Sequence, residues 1–529
     1  MDVDAVVIGS GPNGLVAANL LADEGWSVVV LEAATEPGGA VRTAEVTAPG
    51  FRNDLFSAFY PLAAASPVIA GLHLERQGLV WRRAPAVLAH PTPDGPAAVL
   101  STDLDRTAAS LDAFAPGDGD AWRALYRRWL AVAEPILDSL LRPFPPVRPG
   151  ARLAAAIGGP RRLAEFARFA LVPVRRLSSE LFRGEGGGML LAGNALHTDL
   201  APESAGSAVF GWLLASLGQD IGWPVPEGGA GSLTGALVTR LEERGGSVRC
   251  GTEVRSIEVR GGRAVGVRTA DGDDISAGRA VLADVGAPAL YERLLAPGHV
   301  PERHRAQLGR FEYCDGTVKV DWALRAPIPW QDPSVAAAGT VHIARSLDEL
   351  TLFSGQLAAG RIPADPFLLL GQMTTTDPTR SPAGTESAWA YTHVPRNVRG
   401  DAGGDLTGTW DERETAAFVA RVEARIEAFA PWFGDLIEAR HVFTPPGLQA
   451  TNANLVGGAL DGGSAALHQQ LIFRPAPGLG RPETPVRGLY LASSSAHPGG
   501  GVHGSCGSNA AHAALLHDRF RRVTSGWRS

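Results

Sequence analysis

The first thirty-two residues constrain this chain more than any other stretch. Ala5-Val6-Val7-Ile8 is a short continuous apolar run, which is what a buried parallel strand needs, and Gly9, Gly11 and Gly14 follow it at G-x-G-x-x-G spacing around Pro12 and Asn13. Gly9 allows a tight turn, Gly11 removes a side chain where backbone must approach a pyrophosphate, and Gly14 lets the next helix pack closely on the strand. The helix N-terminus then offers free N–H groups and a positive dipole end to phosphates. A helix-compatible run leads to a second apolar strand over residues 27–31 that ends in Glu32, where an acid can accept both ribose hydroxyls of an adenosine. A glycine-rich turn alone is common. Strand, glycines, helix, strand and acid in this order make a dinucleotide cradle.

Glu32 is followed by Ala33, the turn Pro37-Gly38-Gly39 and Arg42. At these residues the chain resembles the flavin-dependent phytoene desaturase family and its wider amine-oxidase-like relatives. The resemblance implies FAD as a noncovalent cofactor, with Gly38, Gly39 and Arg42 beside its pyrophosphate and ribityl chain. A second matching stretch covers residues 486–509, where a strand over 489–493 runs into His497-Pro498-Gly499-Gly500-Gly501-Val502-His503, and Ser508 or Asn509 can cap a helix reaching about residue 520. Here the resemblance implies that the backbone at Gly500 and Val502 passes the flavin ring. The helix N-terminus would point at the flavin O2 side, where its dipole stabilises reduced, anionic flavin. A third stretch, a helix over 233–244 and strands over 247–250, 254–260, 264–269 and 280–283, is also similar, and implies that Val254 lies by the adenine. Many flavoproteins place an Asp after the strand at 489–493; Ser493-Ser494-Ser495 stand here instead, which leaves that contact unassigned. His497 and His503 are the catalytic candidates, each readable equally as a structural turn histidine.

These signals predict an α/β fold: a Rossmann-like FAD-binding domain (GR2-type) interleaved in sequence with a mixed α+β substrate domain. The expected FAD-binding parts are 1–70, 226–290 and 446–529, and the substrate parts are 71–225, partly helical, and 291–445. At 529 residues the chain is long for one core, and 45% hydrophobic with 19% charged residues is a globular composition. Gly228 to Gly231 is no second fingerprint, because no apolar strand precedes it and no strand-end acid follows. NADH and NADPH therefore have no evident site.

A net charge of -7 gives no reason to expect nucleic acid as a partner. Cys250, Cys314 and Cys506 are far apart and form no metal-ligand motif. No metal is expected. No signal-peptide pattern opens the sequence and no apolar run reaches the roughly 18 residues of a membrane span, so the expectation is a cytoplasmic protein. The abundance of Arg and Ala over Lys suggests a high-GC bacterial source. Between Arg142 and Arg183 nine arginines face Glu165 and Glu180, and Leu163, Phe166, Ala167, Phe169 and Ala170 fall at helical spacing. This amphipathic segment reads either as a core-packed helix with a solvated arginine face or as a peripheral membrane contact. The functional expectation is hydride transfer from a large apolar, isoprenoid or carotenoid-like substrate to flavin N5, with oxygen or a quinone as final acceptor. Two alternatives stand beside it: oxidation of a smaller amine or alcohol, and an FAD-stabilised interaction protein with little turnover.

Overall fold

The structure is a computed structural model that describes residues 1–93 and 95–526, with side chains to residue 523. Its first sheet grows from β1 (Asp2–Ile8), which leads through α1 (Pro12–Asp23) to β2 (Val28–Leu31), the two strands pairing in parallel. On the other side of β1 lies β3 (Asp274–Ala283), also parallel, and the strand Leu489–Leu491 adds in parallel to β3. Ser247–Arg249 extends the sheet beyond β2, while Val254–Arg260 and Arg263–Thr269 form an antiparallel meander with the first half of β3.

Side-chain alternation along β1 explains why it sits in the centre. Ala5 and Val7 pack with Ala17, Ala18 and Leu21 of α1 and with Ala510, Ala511 and Ala514 of α2 (Ser505–Gly526). Val6 and Ile8 face the opposite core with Val254, Ile257 and Val281. Both faces are covered, which is why the strand reads as an unbroken apolar run. The helix ending the chain begins at Ser505, three residues before the expected cap at Ser508, so Ser508 and Asn509 lie inside it. The cause is His503, whose Nδ1 accepts the Ser505 N–H at 3.0 Å and so starts the helix earlier.

The second sheet has seven strands in the order Ile437–Phe443, Gly316–Leu324, Glu386–Val394, Leu368–Gln372, Ala338–Ile343, Ala86–His90 and Ala98–Leu100. It is antiparallel apart from the pairing of Ala338–Ile343 with Ala86–His90. One face carries a helical layer that includes Asp118–Leu141, Pro160–Leu171, Gly186–Leu196 and Ser207–Ile221; the other packs on Glu412–Glu427. Residues 373–376, directly after the strand Leu368–Gln372, form a short helix, Met373–Thr376. Its first N–H groups, at Thr374 and Thr375, are held by the buried carboxylate of Glu386.

A fully buried ion pair joins Asp54, in the short strand Asn53–Asp54, to Arg380, in the turn Pro378–Arg380. Asp54 also accepts the N–H of Ala230 at 2.8 Å and the hydroxyl of Thr43 at 2.7 Å. Its charge is thus shared among three donors, which is what a carboxylate needs away from water. Among the described residues, no helix is long and apolar enough to cross a membrane.

Candidate functional site

A cavity of about 1090 Å³ runs between the sheets. It is lined at one end by Gly9, Gly11, Pro12, Asn13, Glu32, Ala33 and Val254, at the middle by Gly39 and Arg42, and towards α2 by Gly500, Val502 and His503. Twelve of the residues singled out from sequence therefore share one wall. Gly14, Gly38 and His497 stand behind it. A Cβ on Gly14 would fall 2.2 Å from the Gly9 carbonyl oxygen, so Gly14 serves the close approach of helix to strand. Gly38, at φ 117°, turns the chain so that its N–H meets the Ser10 hydroxyl at 3.2 Å.

Glu32 is fixed before any ligand arrives: Oε2 accepts the N–H and hydroxyl of Ser10 at 2.8 and 2.7 Å, and Oε1 accepts the Ala34 N–H at 2.9 Å. Each carboxylate oxygen keeps acceptor capacity for a ribose hydroxyl. Arg42 is likewise held, donating to the carbonyls of Gly39 at 3.1 Å and Thr451 at 3.2 Å with its guanidinium 5.3 Å from the Phe56 ring centre.

At the α2 end, His503 is buried and its Nδ1 is occupied as an acceptor, which leaves its proton on Nε2, facing the Gly499 and Gly500 backbone. Burial holds its pKa down to about 4, so the ring is a neutral donor on the cavity wall. His497 is turned away, its Nε2 3.0 Å from the Arg142 carbonyl, with burial lowering its pKa to about 4. It braces the loop and does not line the cavity.

Sequence reasoning missed four residues at this site. Asp284, directly after β3, lines the cradle, and its Oδ2 accepts the Gly14 N–H at 2.8 Å. Burial, with Glu32 nearby and the Gly14 N–H opposing, raises its pKa to about 7. The other three form a polar group of which Asp461 lines the cavity, with Asp199 and His393 behind it. His393 Nε2 lies 2.8 Å from Asp199 Oδ1, and Asp199 and Asp461 lie within 4.8 Å of each other and of Cys314. Burial disfavours charge on His393, but the Asp199 carboxylate outweighs it and lifts the imidazole to about 9. Burial and then Asp199 push Asp461 up to about 7. A Cβ on Gly500 would fall 2.9 Å from Asp461 Oδ1, which places this acid against the glycine loop. An apolar strand ending in an acid was the available signal for Asp284; the other three come from segments far apart in sequence and gave none. The only lysine, Lys319, is buried in an ion pair with Asp321 behind Trp389 and off the cavity wall.

The residues present fit FAD. Glycines occur where any side chain would collide: Gly11 with Asp284 Oδ2 at 2.6 Å and Gly39 with the Gly11 Cα at 3.0 Å. An acid stands at the ribose end, two helix N-termini converge on the cavity, and the neutral His503 ring lines the far end. Glu32 and Val254 would hold the adenosine, the Gly11–Gly14 turn the pyrophosphate, and the Gly500–His503 loop the ring.

Comparison with known proteins agrees. The family model of the flavin containing amine oxidoreductases matches residues 13–351. Pyridine nucleotide-disulfide oxidoreductase domain-containing protein 2 of Mus musculus is 29% identical, covering 97% of this chain and 93% of that protein. The neurosporene-forming phytoene desaturase of Cereibacter sphaeroides is 26% identical, covering 98% and 95%. The fold is that of an oxidoreductase from Methanosarcina mazei, with a TM-score of 0.60 at 15% identity over 98% of this chain and all of that one. With its cradle, its acid and its glycine loop on one cavity, the chain belongs to the flavin containing amine oxidoreductase family and is an FAD-dependent oxidoreductase.

Proposed function

We propose that this oxidoreductase removes two hydrogens from a large, mostly hydrocarbon substrate of isoprenoid type. The observation that carries the reading is the wall of the cavity beyond the glycine loop, where Phe59, Phe210, Leu213, Leu214, Trp223 and Trp389 dominate. Such a surface gains from burying hydrocarbon, at about 25 cal/mol per Å², and offers a flexible polar molecule little in exchange for its water. The likeness to a phytoene desaturase supports the same class. Bound FAD supplies a two-electron acceptor; the chain's own groups exclude water, orient the substrate along the aromatic wall, and offer Asp461 as a nearby proton acceptor. Oxygen or a quinone is the proposed terminal acceptor.

Delivery from a lipid surface is part of this proposal. In residues 142–183 the expected apolar stripe is divided: Phe169 is buried against Trp212 with ring centres 5.0 Å apart and Phe166 packs beside it, while Leu163 is exposed, as are Val147, Leu171 and Leu181. Leu467, Leu471, Ile472 and Phe473 are exposed as well, in a loop whose Gln470 and Arg474 line the cavity. Leu171 adjoins them across Gly206, whose N–H binds the Leu171 carbonyl and whose Cβ position lies 3.2 Å from Leu467. Six of the nine arginines in the segment are ion-paired; Arg148, Arg162 and Arg183 have no carboxylate partner among the described residues.

One observation favours a second reading. Asp461 puts a carboxyl group on the wall, with Asp199 and His393 behind it, which suits an amine or alcohol better than a pure hydrocarbon. Solvent extraction of the purified protein followed by mass spectrometry separates the two. A prenyl-type hydrocarbon or its mono-oxygenated form supports the proposal, and a small amine would replace it by the second reading.

A further inference from the structure

We propose that Asp284 receives FAD as a neutral acid, so that docking of the cofactor takes up one proton. The inference concerns the cofactor cradle and is independent of which substrate is oxidised.

The argument starts from position. The Gly11–Gly14 turn and the N-terminus of α1 are the anion-binding part of a dinucleotide cradle, because backbone N–H groups and the helix dipole converge there. In this chain that place already holds a carboxylate: Asp284 Oδ2 accepts the Gly14 N–H at 2.8 Å and lies 2.6 Å from where a Gly11 Cβ would stand. Asp284 follows β3, whose parallel pairing to β1 puts Ala283 level with Ile8. Its main chain is pinned as well, with the N–H on the Ile8 carbonyl at 2.7 Å and the carbonyl accepting from Asn454 at 3.3 Å.

A pyrophosphate diester is anionic throughout the physiological range. Bringing it against a buried carboxylate sets two like charges in a site of low dielectric, and the group able to respond is the one that can take up a proton. Once neutral, Asp284 changes from acceptor to donor and can give its O–H to a phosphate oxygen.

Other titratable groups around Asp284 do not serve. Glu32, at the end of β2, is held by Ser10 and Ala34. Cys506, in the first turn of α2, is driven by burial up to about 12, and His503 is held down to about 4. Burial has already brought Asp284 to about 7 without the cofactor, the value from which the linkage is read.

The sign follows. Below pH 7 Asp284 is already neutral and FAD affinity is flat. Above pH 7 each binding event must draw a proton from solvent, so Kd rises about tenfold per pH unit until the bound-state pKa is reached.

The test measures FAD Kd by dilution of the holoprotein, followed by flavin fluorescence, from pH 6 to 9. ADP-ribose, which carries the same pyrophosphate diester, serves as a competing probe, and adenosine, which lacks it, as its control. Wild type is expected to show a flat region below pH 7 and a rise above it, for FAD and for ADP-ribose alike but not for adenosine. Asp284→Asn, which keeps a donor without a charge, should bind FAD with one affinity across the range and more tightly than wild type at pH 9. Asp284→Ala should also be flat, which guards against misfolding of one variant. A pH-independent wild-type Kd, or a slope that survives in both variants, overturns the proposal. Failure of wild type to hold FAD at any pH would contradict the cofactor assignment itself.

Discussion

Gly507 of α2 lies directly on the backbone of Asn13: a Cβ there would fall 1.9 Å from the Asn13 carbonyl oxygen. This contact joins the two ends of the cofactor site, which are separated by almost the whole chain, and it is backbone against backbone, so no side-chain rotation can relieve it. Gly507→Ala should cost about 1–3 kcal/mol of stability, the usual range for an overpacked site, and should lower FAD content. Thermal unfolding with and without added FAD, together with the flavin absorbance of the purified variant, measures both effects. An unchanged melting temperature and full flavin content would show that the helices are not in this contact.

Glu32→Ala should weaken FAD by about 1–3 kcal/mol, the cost of losing hydrogen bonds to a charged group. Part of that loss is indirect, since Ser10 and Ala34 lose the acceptor that orders their turn. Glu32→Gln separates the parts: it retains an acceptor for Ala34 and should lose less. Equal Kd values for wild type and the Ala variant would remove Glu32 from the ribose.

NADH and NADPH should not reduce the flavin at a useful rate. The second glycine loop is not free to take a phosphate, because Gly228, Ala230 and Gly231 give their N–H groups to Asp377 at 2.7 Å, Asp54 at 2.8 Å and Thr43 at 3.0 Å. Anaerobic mixing with either nucleotide, followed at the flavin band, should show no fast bleaching; fast bleaching would mean a nucleotide site elsewhere.

Much of the cofactor site is legible in the sequence because its parts are local. The cradle occupies one strand-turn-helix unit, where glycine spacing alone reports which backbone atoms must approach one another, and Gly14 and Gly11 are found doing so. Asp284 escapes such reading, since an acid after a strand looks like any polar turn until the parallel pairing of β3 with β1 carries it to Gly14, 270 positions away. Asp199, after the helix Gly186–Leu196, His393, on the strand Glu386–Val394, and Asp461, in a loop, are brought together from three separate segments. The amphipathic pattern around Phe166 and Phe169 is real, but periodicity reports only that one face is apolar. The fold decides that Phe169 meets Trp212 while Leu163 stays exposed.

The membrane proposal is tested first at the loop around Leu471, which adjoins both the cavity and Leu171. Replacing Leu471 and Phe473 by Ser should release the protein from anionic vesicles. Replacing Arg148, Arg162 and Arg183 by Ser should weaken binding mainly at low salt, at about 1 kcal/mol per charge near the surface. Arg161, Arg175 and Arg176 are poorer targets, because each is engaged by a carboxylate of the protein itself. Co-sedimentation with vesicles decides the matter; a wild type that stays in the supernatant at low salt would leave the loop as an ordinary exposed surface.

The central claim, that this flavoprotein oxidises an apolar molecule held along the Phe59, Phe210 and Trp223 wall, is tested most directly by anaerobic reduction of its bound flavin. Prenyl hydrocarbons and their alcohols, supplied in detergent, should bleach the flavin band in a single turnover, and admission of oxygen or a quinone should restore it. Bleaching by small amines with none by any prenyl compound would contradict the claim and assign the cavity to the polar group at Asp199, His393 and Asp461.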